Sequence, residues 1–144
     1  MDFSIRPAER GDAAAICGIN STSLGYDYPL ELTRRSLEHI LAHGEDCVFV
    51  AEREGEVLGY IHGQPYYTLY HAPLANVLAL SVASGAQKGG VGRALLARLE
   101  DWAREKGCSG VRLSSGMERS GAHIFYERCG YRHIKSHKTF RRDF

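Results

Sequence analysis

The amino-acid sequence predicts an α/β fold built on a mixed sheet, with antiparallel hairpins and one strand–helix–strand unit. Two apolar segments of strand length, Cys47–Ala51 and Val57–Ile61, are separated by a short polar turn typical of a hairpin. Another apolar strand, Val77–Val82, leads through a glycine-rich loop into an amphipathic helix and then into a further strand, Val111–Ser114. Segments in this order are typical of a mixed sheet covered by helices.

One strand and two helices are expected before the hairpin. Phe3–Pro7 is predicted to be a strand that ends at its proline. Asp12 is placed to cap a first helix, and Gly25 is placed to end it. A second helix is expected over about Leu30–His43, because its apolar residues recur at helical spacing and Gly44 follows as a stop signal.

The second half of the chain is predicted to contain two helices and three strands. The helices are expected over about Gly90–Lys106 and Arg119–Arg128, and Val111–Ser114 lies between them. Two short strands, about Tyr131–Ser136 and Thr139–Arg142, are expected to finish the chain. Because the sequence contains no internal repeat or linker, residues 1–144 are expected to form a single domain.

Charge and cysteine content argue against several classes of protein. The chain has 18 Lys and Arg against 17 Asp and Glu, a balance unlike that of proteins that wrap nucleic acid. No segment has the ~18 apolar residues of a membrane span, and the first ten residues are unlike a signal peptide. We therefore expect a cytoplasmic protein with no nucleic-acid or membrane partner. We also expect no metal site, because the cysteines lack metal-ligand spacing: Cys17, Cys47, Cys108 and Cys129.

The loop Gly85–Gly92 predicts a phosphate site at the start of the third helix. It contains four glycines within eight residues, which lets backbone N–H groups approach a ligand closely. The helix start adds unsatisfied donors and the positive end of a dipole. The loop lacks the lysine and hydroxyl of a P-loop, and it does not fit the dinucleotide fingerprint. The alternative without a ligand is a glycine-rich turn that only starts the helix.

Two motifs resemble those of one enzyme superfamily. The loop segment QKGGVG, residues 87–92, resembles the Q/R-x-x-G-x-G/A pattern of the GNAT (GCN5-related N-acetyltransferase) superfamily. Residues 122–131, AHIFYERCGY, are similar to its A-x-x-F-Y-x-x-x-G-F/Y segment. The resemblance implies a mostly antiparallel central sheet flanked by helices on both faces. It also implies an N-acetyltransferase that moves an acetyl group from acetyl-CoA to a primary amine of an unidentified small molecule or protein.

The resemblance further implies which residues bind acetyl-CoA. Its pantetheine arm is expected to pair with the backbone of the strand before the loop, with the side chains of that strand pointing into the core. Its pyrophosphate is expected on the loop amides, with Arg93 nearby. Arg119 occupies a position where relatives often have an asparagine that contacts the cofactor; it either reaches a cofactor oxygen or flanks the helix. The implied contacts on the strand and loop are Leu80, Ser81, Val82, Gln87, Lys88, Gly89, Gly90, Val91 and Gly92.

Tyr126 matches the family tyrosine proposed as general acid, since a phenol can protonate the departing thiolate. The alternative is a core tyrosine whose hydroxyl has an ordinary partner. The base is open, because Asn76–Ser81 contains no carboxylate, whereas many relatives have one there. His71, a tyrosine or a chain of waters is left to remove the proton from the amine.

The resemblance implies that the acceptor amine binds beside the loop between the first two helices and the segment that enters the central strand. Both segments are rich in aromatic residues here, so an apolar amine or a cation can lie against ring faces. Alternatively, these tyrosines only cover the rim of the core. Relatives often pair near the C-terminus, so a homodimer is expected at Phe140 and Phe144. The alternative function is a sensor that binds acetyl-CoA without turnover. The candidate acceptor residues are Tyr26, Asp27, Tyr28, Tyr66, Tyr67, Tyr70 and His71.

Overall fold

The computed structural model describes residues 2–144, which form two compact units divided after Leu113. The second unit contains one helix, α4 (Ser120–Arg128). The first unit contains five strands and three longer helices: β1 (Ser4–Pro7), α1 (Ala13–Ile19), α2 (Leu30–His43), β2 (Cys47–Arg53), β3 (Glu56–Tyr66), β4 (Leu74–Val82), α3 (Val91–Glu105) and β5 (Val111–Leu113).

The five strands form one sheet in the order β1-β2-β3-β4-β5. The first three neighbouring pairs are antiparallel, and β4 and β5 are parallel. The parallel pair is connected through α3, as expected for a strand–helix–strand unit. The predicted mixed, mostly antiparallel sheet is therefore confirmed.

The two edges of β4 are paired over different lengths. On one side, β4 pairs with β3 along its whole length, from Leu74 to Val82. On the other side, β5 pairs only with Ala75–Val77. Beyond Val77, no strand within residues 2–144 pairs with this outer edge of β4. Among the described residues, positions 79–82 of β4 therefore have a neighbouring strand on one side only.

A bulge lies where the outer edge of β4 becomes free. His62 of β3 is opposite Ala79, and the next residue, Gly63, is opposite Val77. Leu78 is the extra residue in β4, and its side chain is exposed. Such a bulge bends the strand and changes the direction of its backbone groups.

Helices cover both faces of the sheet. On one face, Val48 and Tyr60 pack with residues of α1 and α2 such as Ile16 and Leu37. On the other face, α3 buries Leu95, Leu96 and Leu99 almost completely. Gly63 permits this packing, since a Cβ there would lie 2.5 Å from Cδ1 of Leu99. The start of α3 is therefore held at the end of β4.

Several predicted boundaries are confirmed closely. Helix α2 spans Leu30–His43, as predicted. Gly44 ends it in the left-handed region, at φ +67°, and donates its N–H to the carbonyl of Ile40 at 3.3 Å. Strand β3 begins one residue earlier than predicted and extends five residues farther, to Tyr66. Helix α1 continues into a π-helical turn, Asn20–Leu24, before Gly25 ends it.

The prediction of two C-terminal strands is wrong. Residues 131–144, all within the described part of the chain, form neither helix nor strand. Strands need a face to bury, and the large apolar side chains here have none: Ile134, Phe140 and Phe144 are 68%, 88% and 111% exposed. Separately, none of the helices within residues 2–144 is both long and apolar enough to cross a membrane.

Candidate active site

Leu80, Ser81 and Val82 lie on the part of β4 that has no strand on its outer edge. Their side chains alternate between the two faces of the sheet, because successive residues of a strand point in opposite directions. Only Ser81 is buried, at 4% exposure, whereas Leu80 and Val82 are half-buried. The expectation that all three side chains enter the core therefore holds fully for Ser81 alone.

The end of β4 is fixed by contacts from three directions. The carbonyl oxygen of Val82 accepts hydrogen bonds from Ser23 Oγ at 3.0 Å and from Gln87 Nε2 at 3.3 Å. Ala83 donates its N–H to the carbonyl of Leu58 in β3 at 2.8 Å. The π-helical turn after α1, the glycine-rich loop and β3 are thus all tied to the last residues of β4.

The glycine-rich loop exposes its backbone at the start of α3. Gln87, Lys88, Gly89 and Gly90 are exposed, whereas Val91 is only 3% exposed and anchors the first turn of the helix. Lys88 and Gly90 have left-handed backbones, at φ +70° and +85°. Turns of this kind direct successive N–H groups into an anion-binding concavity, and the dipole of α3 adds to the attraction.

Gly92 and Arg93, the last two of the predicted pyrophosphate residues, lie in the first turn of α3. Gly92 is half-buried in the first turn of α3, and Arg93 next to it is exposed. The first intrahelical bond links the N–H of Ala94 to the carbonyl of Gly90 at 3.0 Å. The earlier N–H groups of the helix have no partner four residues back, as at every helix start. The predicted pyrophosphate residues therefore lie together on one short segment.

Tyr126 and Arg119 lie in the second unit, on and just before α4. Burial raises the pKa of the Tyr126 hydroxyl above its ordinary value; the charge of Arg119 lowers it, and Cys129 raises it further. The phenol is therefore protonated at neutral pH, the form that a general acid needs. Arg119 is exposed, and its carbonyl accepts the N–H of His123 at 3.1 Å, so its backbone starts α4.

The aromatic acceptor candidates form two separate groups. Tyr26, Asp27 and Tyr28 line an open concavity of about 500 Å³ together with Asn20 and Gly25. The two tyrosine side chains are largely exposed, and Asp27 is held by Ser21 Oγ at 2.8 Å.

The second aromatic group follows β3. The ring of His71 stacks on Tyr66, with centroids 5.9 Å apart, and meets the edge of Tyr70 at 5.1 Å. The guanidinium of Arg112 lies 4.7 Å from the centre of the Tyr66 ring. Tyr67 is exposed.

Three polar contacts on the α1/α2 side of the sheet were not expected from the sequence. Tyr60 donates its hydroxyl to Asn20 Oδ1 at 2.5 Å, and burial raises the pKa of this tyrosine. His62 Nε2 contacts Asp46 Oδ2 at 2.9 Å. Farther along β3, Gln64 accepts a hydrogen bond at 2.9 Å from the side chain of Asn76 in β4.

The alternation of β3 could have indicated that residues 60, 62 and 64 share a face. Their partners could not have been identified, because each lies on another element. Residues 2–144 contain no group of three or more His, Cys, Asp or Glu side chains placed to hold a metal ion.

Comparison with known proteins decides the family. The family model described as "Acetyltransferase (GNAT) family" matches residues 13–131. The chain belongs to this GNAT family. An aminoglycoside N(6′)-acetyltransferase type 1 from Stenotrophomonas maltophilia is 31% identical to it, over 96% of this chain and 92% of its own length. An aminoalkylphosphonate N-acetyltransferase from Salmonella typhimurium is 36% identical over 63% of this chain and 58% of its own length.

Solved structures agree with the GNAT fold. The acetyltransferase AAC(6′)-Iy, in complex with a bisubstrate analogue of CoA and acetylneamine, superposes with a TM-score of 0.87. Its sequence is 18% identical, and the match covers 100% of both chains. This GNAT protein is therefore an acetyl-transferring enzyme, and acetyl-CoA is the cosubstrate that its family implies.

Proposed function

We propose that this GNAT enzyme transfers the acetyl group of acetyl-CoA to a primary amine of a small molecule, with an amino sugar as the first candidate. The observation that carries the cosubstrate side is the free outer edge of β4, which begins at the bulge and ends at the glycine-rich loop. A pantetheine arm needs a strand edge with unpaired backbone groups, and a pyrophosphate needs exposed amides at the end of that edge.

The residues of this edge fit the shape and charge of CoA. Leu80, Ser81 and Val82 would pair with pantetheine through their backbone, while the loop Gln87–Gly92 and Arg93 would hold the pyrophosphate. Gly59 supports the edge from the opposite side. A Cβ at Gly59 would lie 2.8 Å from the carbonyl oxygen of Ser81, so β3 approaches this part of β4 closely.

We assign Tyr126 as general acid and Arg119 as a cosubstrate contact. Tyr126 occupies the tyrosine position of the family motif, and its half-buried phenol, whose pKa is raised, keeps its proton at neutral pH. When the amine displaces the thiolate, this hydroxyl would protonate the sulfur. Arg119 is exposed at the start of α4 and carries the positive charge that an anionic cosubstrate requires.

Two observations support a small basic acceptor. The relative that matches 96% of this chain at 31% identity is named for an aminoglycoside. In the present chain, Asp27, Tyr26 and Tyr28 all line the open concavity beside α1. One carboxylate among aromatic rings suits a cationic amine.

We also propose that residues 1–144 form one catalytic domain and that two copies of the chain pair. A single catalytic domain is supported by the family model, which runs from residue 13 to residue 131 and so includes parts of both units. Pairing of two copies through Phe140 and Phe144 and a cytoplasmic location remain predictions. The alternative, a sensor that binds acetyl-CoA without turnover, is favoured by the lack of a carboxylate in Asn76–Ser81.

Thiol release from acetyl-CoA tests the proposal. The purified protein is incubated with acetyl-CoA and one of three amines: neamine, an aminoethylphosphonate or a peptide with a free N-terminus. We expect neamine to give the fastest release, and mass spectrometry to find one added acetyl group. Binding of CoA in calorimetry, with no release above the amine-free control, would instead identify the sensor.

A further inference from the structure

We propose that His62, held by Asp46, is the general base that accepts a proton from the acceptor amine. This role rests on the transfer reaction proposed above and fills a position that the sequence left open. An unperturbed alkyl amine has a pKa of about 10.4, so nearly all of it is protonated, and unreactive, at neutral pH. Imidazole is the side chain best suited to exchange protons in that range.

The strand register places His62 beside the point where the outer edge of β4 becomes free. His62 is directly opposite Ala79, the residue that follows the bulged Leu78. Opposite residues of an antiparallel pair point to the same face, with Cβ atoms roughly 4.5–5.5 Å apart. The pairing of β4 with β5 stops at Val77, on the other side of the bulge. A CoA arm that started at the glycine-rich loop and followed this edge would run toward this bulge.

The imidazole also lies on the face where the candidate acceptor concavity opens. Both cross-strand neighbours of His62, Val48 and Ala79, pack in the cluster formed with α1 and α2. Tyr60, two residues earlier on the same face, donates to Asn20, which lines the concavity. The acceptor loop, the bulge and the imidazole are therefore on one side of the sheet.

Asp46 gives the imidazole the arrangement expected of a base. Its Oδ2 lies 2.9 Å from His62 Nε2, and the two side chains are 26% and 17% exposed. A carboxylate oxygen accepts hydrogen bonds, so in the proposed arrangement Nε2 donates to Asp46 and Nδ1 carries the lone pair that takes the proton. When Nδ1 takes a proton, the adjacent carboxylate stabilises the imidazolium that forms.

Few other titratable groups share this face with His62. Tyr60 is the titratable residue on the strand positions next to it, and Asp46 lies just before β2; the other neighbours on β2, β3 and β4 are neutral. Farther across the same face, Arg6 is opposite Val50 and is paired with Asp12 at 2.8 Å. The side chains that α1 and α2 contribute to the core cluster on this face are apolar. The neutral and apolar neighbours are Val48, Val50, Gln64, Ala79, Ser81, Ile16, Ile19, Leu37, Ile40 and Leu41.

The proposed step balances as follows. The amine nitrogen forms a bond to the thioester carbonyl carbon, and the carbon–sulfur bond breaks as the thiolate leaves. His62 Nδ1 takes the proton that the nitrogen must lose, directly or through one water. The thiolate receives a proton from the general acid, assigned above to Tyr126. His62 then releases its proton to solvent and Tyr126 takes one proton back from solvent, so a free amine and acetyl-CoA give one amide and one thiol and both side chains return to their starting forms.

The test is the pH dependence of kcat/KM for neamine, or for the amine in the panel above that gives the fastest release. We expect His62→Gln to lower kcat/KM by about 10²–10⁴ near pH 7, the usual contribution of a general base. The loss should shrink as pH rises toward the amine's own pKa, because a free amine needs no base. Asp46→Asn should give a smaller loss with the same trend, and the KM for acetyl-CoA should change in neither variant.

His39→Gln is the matched control, because His39 is exposed on α2, where its ring contacts that of His43. We expect it to behave as wild type. Melting curves and CoA calorimetry show whether each variant is folded. A second readout is the NMR signal of the His62 ring, identified by its loss in His62→Gln. On addition of neamine to the CoA complex, this signal should shift while the His39 signal does not.

Three results would overturn the role of His62. The first is wild-type kcat/KM in a folded His62→Gln variant. The second is a loss of equal size at every pH, which indicates packing only. The third is a His62 signal that does not respond to the acceptor. Each leaves acetyl transfer itself intact. A wild-type protein that releases no thiol with any amine would contradict the proposed function as well, and is thereby distinguished from these three.

Discussion

The segment Leu78–Gly92 and the helix α4 are assigned to the same reaction but are built on different principles. In the first, the proposed contacts are backbone groups: a free strand edge, a loop of exposed amides and the start of α3. In the second, the assigned group is one side-chain oxygen, the hydroxyl of Tyr126. A backbone site tolerates many side-chain changes and is damaged by changes in conformation or charge. A side-chain site is lost with one atom.

The largest effect is expected from Tyr126→Phe, which removes only that oxygen. The ring and its contacts with Phe125 and Tyr131 remain, so packing should change little. Turnover with a verified acceptor should fall by about 10²–10⁴, while calorimetry should give unchanged affinity for acetyl-CoA, because the lost interaction belongs to the transition state. Near-normal turnover would remove Tyr126 from the mechanism and leave the cosubstrate site unaffected.

Gly90→Asp should produce the next largest effect, now on binding. Gly90 has φ +85°, which a residue with a Cβ adopts only with strain, and aspartate adds a negative charge where an anion is expected. We expect CoA affinity in calorimetry to fall by about 10²-fold or more, near 2.7 kcal/mol. Gly92→Asp should act similarly through its charge.

Gly85→Asp is the matched control for the loop. It adds the same charge to the same loop, but at an unstrained position where a Cβ meets nothing within 4 Å. Affinity should fall less than in Gly90→Asp. Equal affinity losses for the two variants would mean that the charge alone, not the amide geometry at the start of α3, determines binding.

Gly63→Ala should have the opposite effect to the loop variants: the free energy of unfolding should fall, while CoA affinity should stay the same. Gly63 lies opposite Val77, in the part of β4 that is paired on both sides, and a Cβ there would be 2.5 Å from Cδ1 of Leu99. Overpacking of this kind costs about 1–3 kcal/mol of unfolding free energy. Urea unfolding should show that loss. The CoA affinity of the variant, measured without denaturant where the protein is folded, should stay within about twofold of the wild-type value.

Gly59→Ala sharpens the same comparison, because its Cβ would press on the Ser81 carbonyl in the singly paired part of β4. Here both stability and CoA affinity should fall. If CoA affinity falls in Gly63→Ala and not in Gly59→Ala, the two parts of β4 do not divide the roles as stated.

The smallest effect is expected from Ser81→Ala. The hydroxyl of Ser81 is buried and has no hydrogen-bond partner among residues 2–144. Replacing it with a methyl group should leave the unfolding free energy unchanged or raise it by up to about 1 kcal/mol. CoA affinity should not change, since only the backbone of this residue is assigned to binding. A tenfold weaker affinity would show that the side chain takes part.

Much of the fold could be predicted because its signals are local. The helical spacing in α2 and the glycine after it set both ends of that helix correctly. The loop residues 87–92 were recognisable because glycines next to a helix start form a local pattern. The two C-terminal strands were wrongly predicted from residues 131–142, where alternation of apolar and charged residues occurs without a buried face.

The polar pairs of the site could not be predicted, because they depend on register. His62 and Asp46 are 16 residues apart and meet only through the pairing of β2 with β3. The bulge at Leu78 leaves no mark in the sequence, although it determines that His62 is opposite Ala79. Without this bulge, Leu78 and not Ala79 would lie opposite His62.

The central claim is that CoA binds along the free edge of β4 and on the loop that follows it. Hydrogen–deuterium exchange with mass spectrometry, in the presence and absence of CoA, tests this claim directly. Peptides that cover residues 78–92 should exchange more slowly with CoA, while β1 and β2 should exchange at unchanged rates. Unchanged exchange in residues 78–92 at saturating CoA, or protection confined to other segments, would contradict the account.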